Sequence, residues 1–423
     1  MHPADCPRVL SVNNESLVAS SATGLTLRSL LREWPSQRLV SLVTKGRASD
    51  AERLVGSADW QLARPVRAVQ AACDRAAACR WAGSFMPRCR NRFWQYAFAR
   101  DRRVSPELLA WIAAREPDLI YSTLYDLDVM QLVVNSSEAL GIPIVPHFMD
   151  DWPEALRSLD PMSRALLHRY ESLLQRVISR APLALVISDR MAEVFEKRYG
   201  LRCTPVMRCV EVGDFQPPAP RAPIRIAYAG GLHLGRHESL LEVCDAVHTA
   251  IPNGSATLLV YVHEQDILRY GRLFGKYAPT TTLLELPPEE VPSRLQAADI
   301  LLYVESFSPR FVSYCKCSIS AKIPEYLAVG RPVLSYGPAE SGSIDYLRRI
   351  EVGVQVTQRG RANVAEAVEQ LWRQRSDWTA YAATAHAAAR ATHDAGVVTP
   401  RFRQALLLAS QAGVPQLRGR RGV

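Results

Sequence analysis

Ser318-Ile-Ser-Ala-Lys-Ile-Pro-Glu-Tyr-Leu-Ala-Val-Gly330-Arg-Pro-Val-Leu-Ser-Tyr-Gly337-Pro338 reads as a loop, a short helix, a glycine stop and a strand. Ser318 or Ser320 can cap the helix, and Pro324 falls in its first turn, where a missing N–H breaks no bond. Gly330 ends it, because glycine takes a left-handed conformation without steric penalty. Ile323 and Leu327 share a face that can meet a core, whereas Lys322 and Glu325, three apart, share another. A helix over Ala321–Val329 running straight into the apolar stretch Pro332–Ser335 is half of a βαβ unit, and the fold turns on whether such units repeat.

They do. Strand Ile224–Ala229, a helix near His237–Ala250, strand Thr257–Val262 and strand Ile300–Val304 precede it. The first half repeats the alternation, with short apolar runs at Val9–Val12, Val40–Thr44, Leu119–Ser122, Ile142–Pro146 and Leu183–Ile187. Between them lie helical stretches at Leu25–Leu31, Leu127–Leu140 and Ser163–Ile178. The expected fold class is α/β with two doubly wound, Rossmann-like domains, each built on a parallel sheet. Prolines concentrated between Phe215 and Pro223 suit a stiff linker, giving an N-terminal domain at 1–215 and a C-terminal domain at 216–375. The alanine-rich stretch 376–412 reads as helices that pack back toward the N-terminal domain, and 413–423 as a basic, disordered tail.

The 423 residues exceed what one core supports, and 48% hydrophobic with 22% charged residues rules out wholesale disorder. Nine cysteines from Cys6 to Cys317, without paired Cys-x-x-Cys elements, point to reduced thiols. With no leader-like start and no apolar run long enough for a span, the expectation is a cytoplasmic protein. A net charge of +9 suits phosphorylated substrates, an anionic membrane surface or nucleic acid.

Two places can carry chemistry. A helix start with Lys322 in its first turn favours an anion, since orphan N–H groups, dipole and ammonium act together. Glu325, one turn on, can accept hydrogen bonds from ribose hydroxyls; the plainer alternative is a surface ion pair worth a few tenths of a kcal/mol. The second place is Tyr228-Ala-Gly230-Gly231-Leu-His-Leu-Gly235-Arg236-His237-Glu238, after a strand and opening a helix. Its glycines let a ligand approach the backbone and Arg236 can bind phosphate bidentately, or it is simply a tight turn.

In order and content these segments resemble the second domain of GT-B glycosyltransferases, in particular the large retaining family called family-4-like or group 1. The first half adds Ser21-Ala-Thr-Gly-Leu-Thr-Leu, Pro117-Asp-Leu-Ile-Tyr-Ser122, His147-Phe-Met-Asp-Asp-Trp-Pro153 and Val186-Ile-Ser-Asp189. The resemblance implies two domains facing a cleft and transfer of a sugar from a nucleoside-diphosphate sugar to a carbohydrate or lipid-linked acceptor, with retention, in surface polysaccharide assembly. It implies a donor diphosphate held by Gly24, Gly231, Arg236 and Lys322, and a ribose held by Glu325, the second acid of a Glu-x7-Glu motif. Asp150 and Glu305 are candidate catalytic residues, and Asp151 and Ser188 lie on the acceptor side. No cofactor and no metal is required.

Two positions depart from the family pattern. Cys317 stands where the motif has its first glutamate, and Gly231 where the phosphate turn often has arginine. Two rivals therefore stay open: a non-catalytic relative that binds nucleotide as a scaffold, and a nucleotide-sugar epimerase of GT-B form. The arginines and aromatics between Cys73 and Arg103 suit peripheral contact with an anionic membrane, or equally a solvated helix with aromatic packing. No recognised nucleic-acid module accompanies them.

Overall fold

The structure, a computed structural model, describes residues 6–19, 21–45, 48–61, 103–157, 161–219, 223–250 and 256–415. It divides into two compact units, Met1–Val206 with Arg401–Val423, and Met207–Pro400.

The first unit contains β1 (Val9–Asn13), β2 (Leu39–Val43), β3 (Glu52–Leu54), β4 (Trp60–Gln61), β5 (Arg103–Val104), β6 (Leu119–Ser122), β7 (Ile144–Phe148), β8 (Ala184–Val186) and β9 (Cys203–Pro205). Seven of them form a parallel sheet in the order β3-β2-β1-β6-β7-β8-β9, while β4 and β5 pair antiparallel. Strands β1, β6 and β7 are buried along their whole length, as expected where helices cover both faces. The second unit contains β10 (Ile224–Ala229), β11 (Ala256–Val262), β12 (Thr281–Glu285), β13 (Ile300–Val304), β14 (Val333–Tyr336) and β15 (Gly353–Val356), all parallel, in the order β12-β11-β10-β13-β14-β15.

In each sheet the winding reverses once, between β1 and β6 and between β10 and β13. The pairing there is short: β1 meets β6 only from Val9 to Ser11, and β10 meets β13 only at Ile226 and Ala227. Beyond those residues the strands part, which opens the crevice where sheets of this kind take ligands. A polar side chain spans each gap. Asn13 Oδ1 accepts from the Thr123 amide (2.9 Å) and hydroxyl (3.0 Å) in the first unit. In the second, the Tyr326 hydroxyl accepts from the Ala229 amide (2.9 Å) and donates to the Leu302 carbonyl (3.1 Å).

Several expectations need correction. The boundary lies at Val206, not 215, and the proline-rich approach to β10 is no free linker. Val210 forms a bridge with Asp394, and the Gln216 carbonyl accepts from Arg331 (2.8 Å), so the chain is tied to the second unit at these two residues, while Pro217 and Ala219 are exposed and 220–222 lie outside the described residues. Of the helices expected over 376–412, Trp378–Thr392 buries Trp378, Ala385 and Ala389 in the second unit's cores. Helix Ala395–Ala412 passes into the first unit at Arg401, where Phe402 packs on Trp34 and Tyr121. Residues 62–102, which hold most of the arginine and aromatic stretch, and 416–423 of the basic tail lie outside the described residues. Among the described residues no helix is long and apolar enough to cross a membrane.

His147 on β7 is fully buried. Its Nε2 lies 2.9 Å from the Val206 carbonyl, which can only accept, so Nε2 carries the proton and Nδ1 accepts from the Tyr121 hydroxyl at 2.8 Å. Burial lowers its pKa from 6.5 to about 4. The unfolded chain therefore binds this proton first, and stability falls as pH drops from 6.5 toward 4, by up to about 3 kcal/mol from this one residue. The denaturation midpoint measured across that range is expected to fall less steeply in His147→Asn than in the parent, by about one proton's worth of slope.

Candidate functional site

The second unit's crevice is built from the turn after β10, the end of β13 and the helix Ile323–Val329. That helix buries Ile323, Tyr326 and Leu327 against the sheet and ends at Gly330, whose φ of 63° is left-handed. Neither Ser318 nor Ser320 caps it through a side chain. Lys322 takes the N-cap position, and the Ser320 carbonyl accepts from the Ile323 amide (3.0 Å).

Tyr326 fixes the helix on the gap between β10 and β13, and this sets where Lys322 goes. Its ammonium donates to the Tyr228 hydroxyl at 2.8 Å and lies 4.4 Å from that ring's centroid and 5.9 Å from the centre of Tyr303. The Tyr228 hydroxyl in turn donates to the Gly231 carbonyl (2.8 Å), tying lysine, tyrosine and glycine turn together. Gly230, at φ 134°, is required by its backbone conformation, and its missing side chain leaves room for the end of Lys322. A side chain there is strained, and its Cβ would fall 2.5 Å from the Lys322 ammonium and closer still to Cε.

The turn then winds through Leu234 (φ 58°) and Gly235 (φ 74°) before Arg236 opens the helix Arg236–Ala250. Arg236 is 7% exposed and Glu305, just past β13, is 3% exposed. They form a bidentate pair, Nε to Oε2 and Nη2 to Oε1, both at 3.1 Å. Tyr303 donates to the same carboxylate, and Ser239 donates to the Glu305 carbonyl at 2.7 Å. Although burial works against it, Glu305 and the neighbouring tyrosines hold the Arg236 guanidinium well above its ordinary pKa, so it stays charged.

Lys322 behaves differently. Among the described residues no carboxylate lies within ion-pair distance of it. Loss of hydration and then the charge of Arg236 push its ammonium well below the ordinary 10.5. Asp266 accepts from the Leu232 amide at 2.9 Å and, with Glu305, only partly offsets this. Among the described residues Lys322, when protonated, thus has no counter-charge of its own, while Arg236 close by is already balanced.

The structure gathers Gly231, Arg236, Lys322 and Glu305 in one crevice. Glu325, one turn past Lys322, is held by Arg208. Both oxygens of Glu305 are engaged, by Arg236 and Tyr303, so in this structure it anchors Arg236. Gly24 lies in the first unit, where its amide donates to the capping Ser21 hydroxyl (3.0 Å) and a Cβ would meet the Ala19 carbonyl at 2.5 Å, so packing by itself accounts for the glycine. Asp151, 3% exposed, spends both oxygens on Arg198 at 2.8 and 2.9 Å, and the Ser188 hydroxyl caps the helix Asp189–Tyr199. Asp150 stays partly exposed past β7, where with Glu15 it helps raise the pKa of Tyr125, after burial.

Sequence reasoning missed Tyr228, Tyr303, Tyr326, Asp266 and Arg208. For the tyrosines a signal existed: a buried tyrosine hydroxyl needs a partner, and all three lie in buried elements beside the motifs.

A scan of protein-family models and a search of curated proteins return no match. Solved structures do match along most of the chain. Anabaena HepE in complex with UDP-glucose has a TM-score of 0.61 at 14% identity, over 94% of this chain and 99% of that one. The fold is GT-B. Sucrose-phosphate synthase from Thermosynechococcus elongatus matches at TM-score 0.63 and 14% identity, over 94% and 98% of the two chains. The trehalose 6-phosphate synthase of Burkholderia multivorans matches at TM-score 0.58 and 12% identity, over 96% and 97%.

The Arg236–Glu305 pair makes a direct test. Removing one partner strands a buried charge, so Glu305→Ala is expected to cost about 3–5 kcal/mol in chemical unfolding, while Arg236→Met with Glu305→Leu stays much closer to the parent.

Proposed function

We propose that this chain is a glycosyltransferase that uses a nucleoside-diphosphate sugar, with its donor diphosphate bound in the second unit at Gly231, Arg236 and Lys322. The observation that carries the reading is Lys322, an ammonium without a carboxylate partner, poised over the glycine turn of the crevice. A diphosphate would supply the missing counter-charge. As the sugar–phosphate bond breaks, negative charge grows on the leaving diphosphate, and fixed cations stabilise it without reorganisation. The solved relatives of this fold support the substrate class, since HepE was solved with UDP-glucose and with UDP.

Glu325 takes the ribose in this reading, and Asp150 is the candidate acceptor-side base on the first unit. Retention, a carbohydrate or lipid-linked acceptor and a setting in surface polysaccharide assembly at a membrane follow from the sequence resemblance. Cys317, buried where the family motif has glutamate, favours one alternative: a relative that binds nucleotide without transferring sugar.

Calorimetric titration with UDP, GDP, ADP and dTDP separates these. One diphosphate is expected to bind, and Lys322→Ala to weaken it about 10- to 100-fold, the worth of a hydrogen bond to a charged group. Glu325→Ala weakens it less. Because the bound anion raises the lysine's lowered proton affinity, binding takes up protons at pH values between its free and bound pKa, seen by repeating the titration across pH in buffers of different ionisation enthalpy. If no nucleotide binds, or both variants bind as the parent does, the donor site is misassigned. Binding with neither hydrolysis nor transfer to any acceptor favours the scaffold.

A further inference from the structure

We propose that Arg208 is a positioning residue for nucleotide recognition: it holds Glu325 by one carboxylate oxygen and leaves the other to accept a ribose hydroxyl. The inference rests on the donor-site reading above, in which Glu325 takes the ribose.

The guanidinium of Arg208 has two anchors. Nη1 donates to the Ala321 carbonyl at 2.9 Å, and Nη2 donates to Glu325 Oε1. One anchor is backbone, at the residue before Lys322, and the other is the carboxylate three residues beyond Lys322. A planar fork held at both ends fixes position and orientation together, which a lysine ammonium cannot do. The pair is well shielded, with the side chains 11% and 21% exposed. Among the described residues Glu325 makes no other hydrogen bond, so Oε2 keeps its acceptor capacity.

The backbone behind Arg208 is itself fastened. Met207 and Cys209 are buried, the Val210 amide donates to the His393 carbonyl (3.0 Å), and the Val210 carbonyl accepts from Ala395 (2.9 Å). The Val212 amide reaches Asp394 Oδ2 at 3.2 Å. Arg208 therefore works from a fixed base. It also answers an electrostatic difficulty: a bare carboxylate beside a diphosphate would repel it, whereas a glutamate paired with arginine is neutral as a unit while still accepting a hydrogen bond.

The alternative is that Arg208 merely ties its segment to the helix. Stability would not separate the two roles, but ribose discrimination does. The full-length protein is titrated with UDP, or whichever diphosphate the titration above identifies, and with its 2′,3′-dideoxy form. The parent is expected to prefer the ribose form about tenfold, the worth of one hydrogen bond to a charged acceptor, and Glu325→Ala to erase that preference. Arg208→Gln and Arg208→Lys are expected to cut it to about twofold or less. Arg208→Lys keeps the charge, so it should bind the dideoxy form nearly as the parent does, and it carries the test if Arg208→Gln proves unfolded by circular dichroism. If both Arg208 variants keep the parent's preference while Glu325→Ala loses it, Arg208 is only a tie and the inference is overturned. If the parent shows no preference, or Glu325→Ala retains it, the ribose assignment itself fails and takes this inference with it.

Discussion

The second unit depends on the Tyr326 hydroxyl. Two parallel strands cannot keep their ladder where the winding of a sheet reverses, and the parting of β10 from β13 exposes the Ala229 amide and the Leu302 carbonyl inside a dry core. Each would cost about 1–3 kcal/mol if left unpaired. The phenol serves both, as acceptor to one and donor to the other. A tyrosine also brings a rigid ring, so this bond does more than satisfy the backbone: it seats its helix on the gap. Lys322, four residues before, is carried over the turn that follows β10. The crevice and the cation beside it are thus consequences of one strand separation and one hydroxyl.

Two cations near each other in a poorly hydrated place repel, and the molecule resolves this unequally. Arg236 is neutralised by a bidentate carboxylate supported by Tyr303, and its charge persists whatever else binds. Lys322 receives only a phenol and two aromatic faces. A hydrogen bond from a phenol does not replace the hydration an ammonium loses, which is why its proton affinity falls and that of Arg236 rises. The left-handed conformation of Leu234, about 1–2 kcal/mol for a residue with a Cβ, is a further sign that local comfort yields to the shape of this turn.

Much of this was legible in the sequence, and the failures share a cause. Apolar runs such as Ile224–Ala229, Leu119–Ser122 and Ile300–Val304 name themselves, because central strands covered on both faces cannot tolerate polar interruption. Edge strands are different: β12 is largely exposed, and β3 and β15 are not fully buried, so no apolar run marked them. At the site, residue type and place beside a helix start singled out Lys322, Glu325 and Arg236 as candidates, since local geometry suffices for that. It could not reveal that Glu305, 69 residues from Arg236, closes on it, or that Arg208 crosses 117 residues to reach Glu325. Such pairings exist only after the sheet order is fixed. The approach to β10 misled for the same reason, because composition suggests a free spacer where long-range bonds tie Val210 and Gln216 to the second unit.

The two units solve the same backbone problem with opposite electrostatic results. In the first, Asn13 spans the gap between β1 and β6, and Leu124 at φ 50° turns the chain beyond it, as Tyr326 and Leu234 do in the second. Around that gap, however, stand Glu15, Asp126 and Asp150, close enough to raise the Tyr125 phenol, and Lys45 is already paired with Asp126. A diphosphate would meet repulsion there and attraction at Lys322. One backbone device, repeated with different side chains, thus sets a lysine beside one gap and carboxylates around the other.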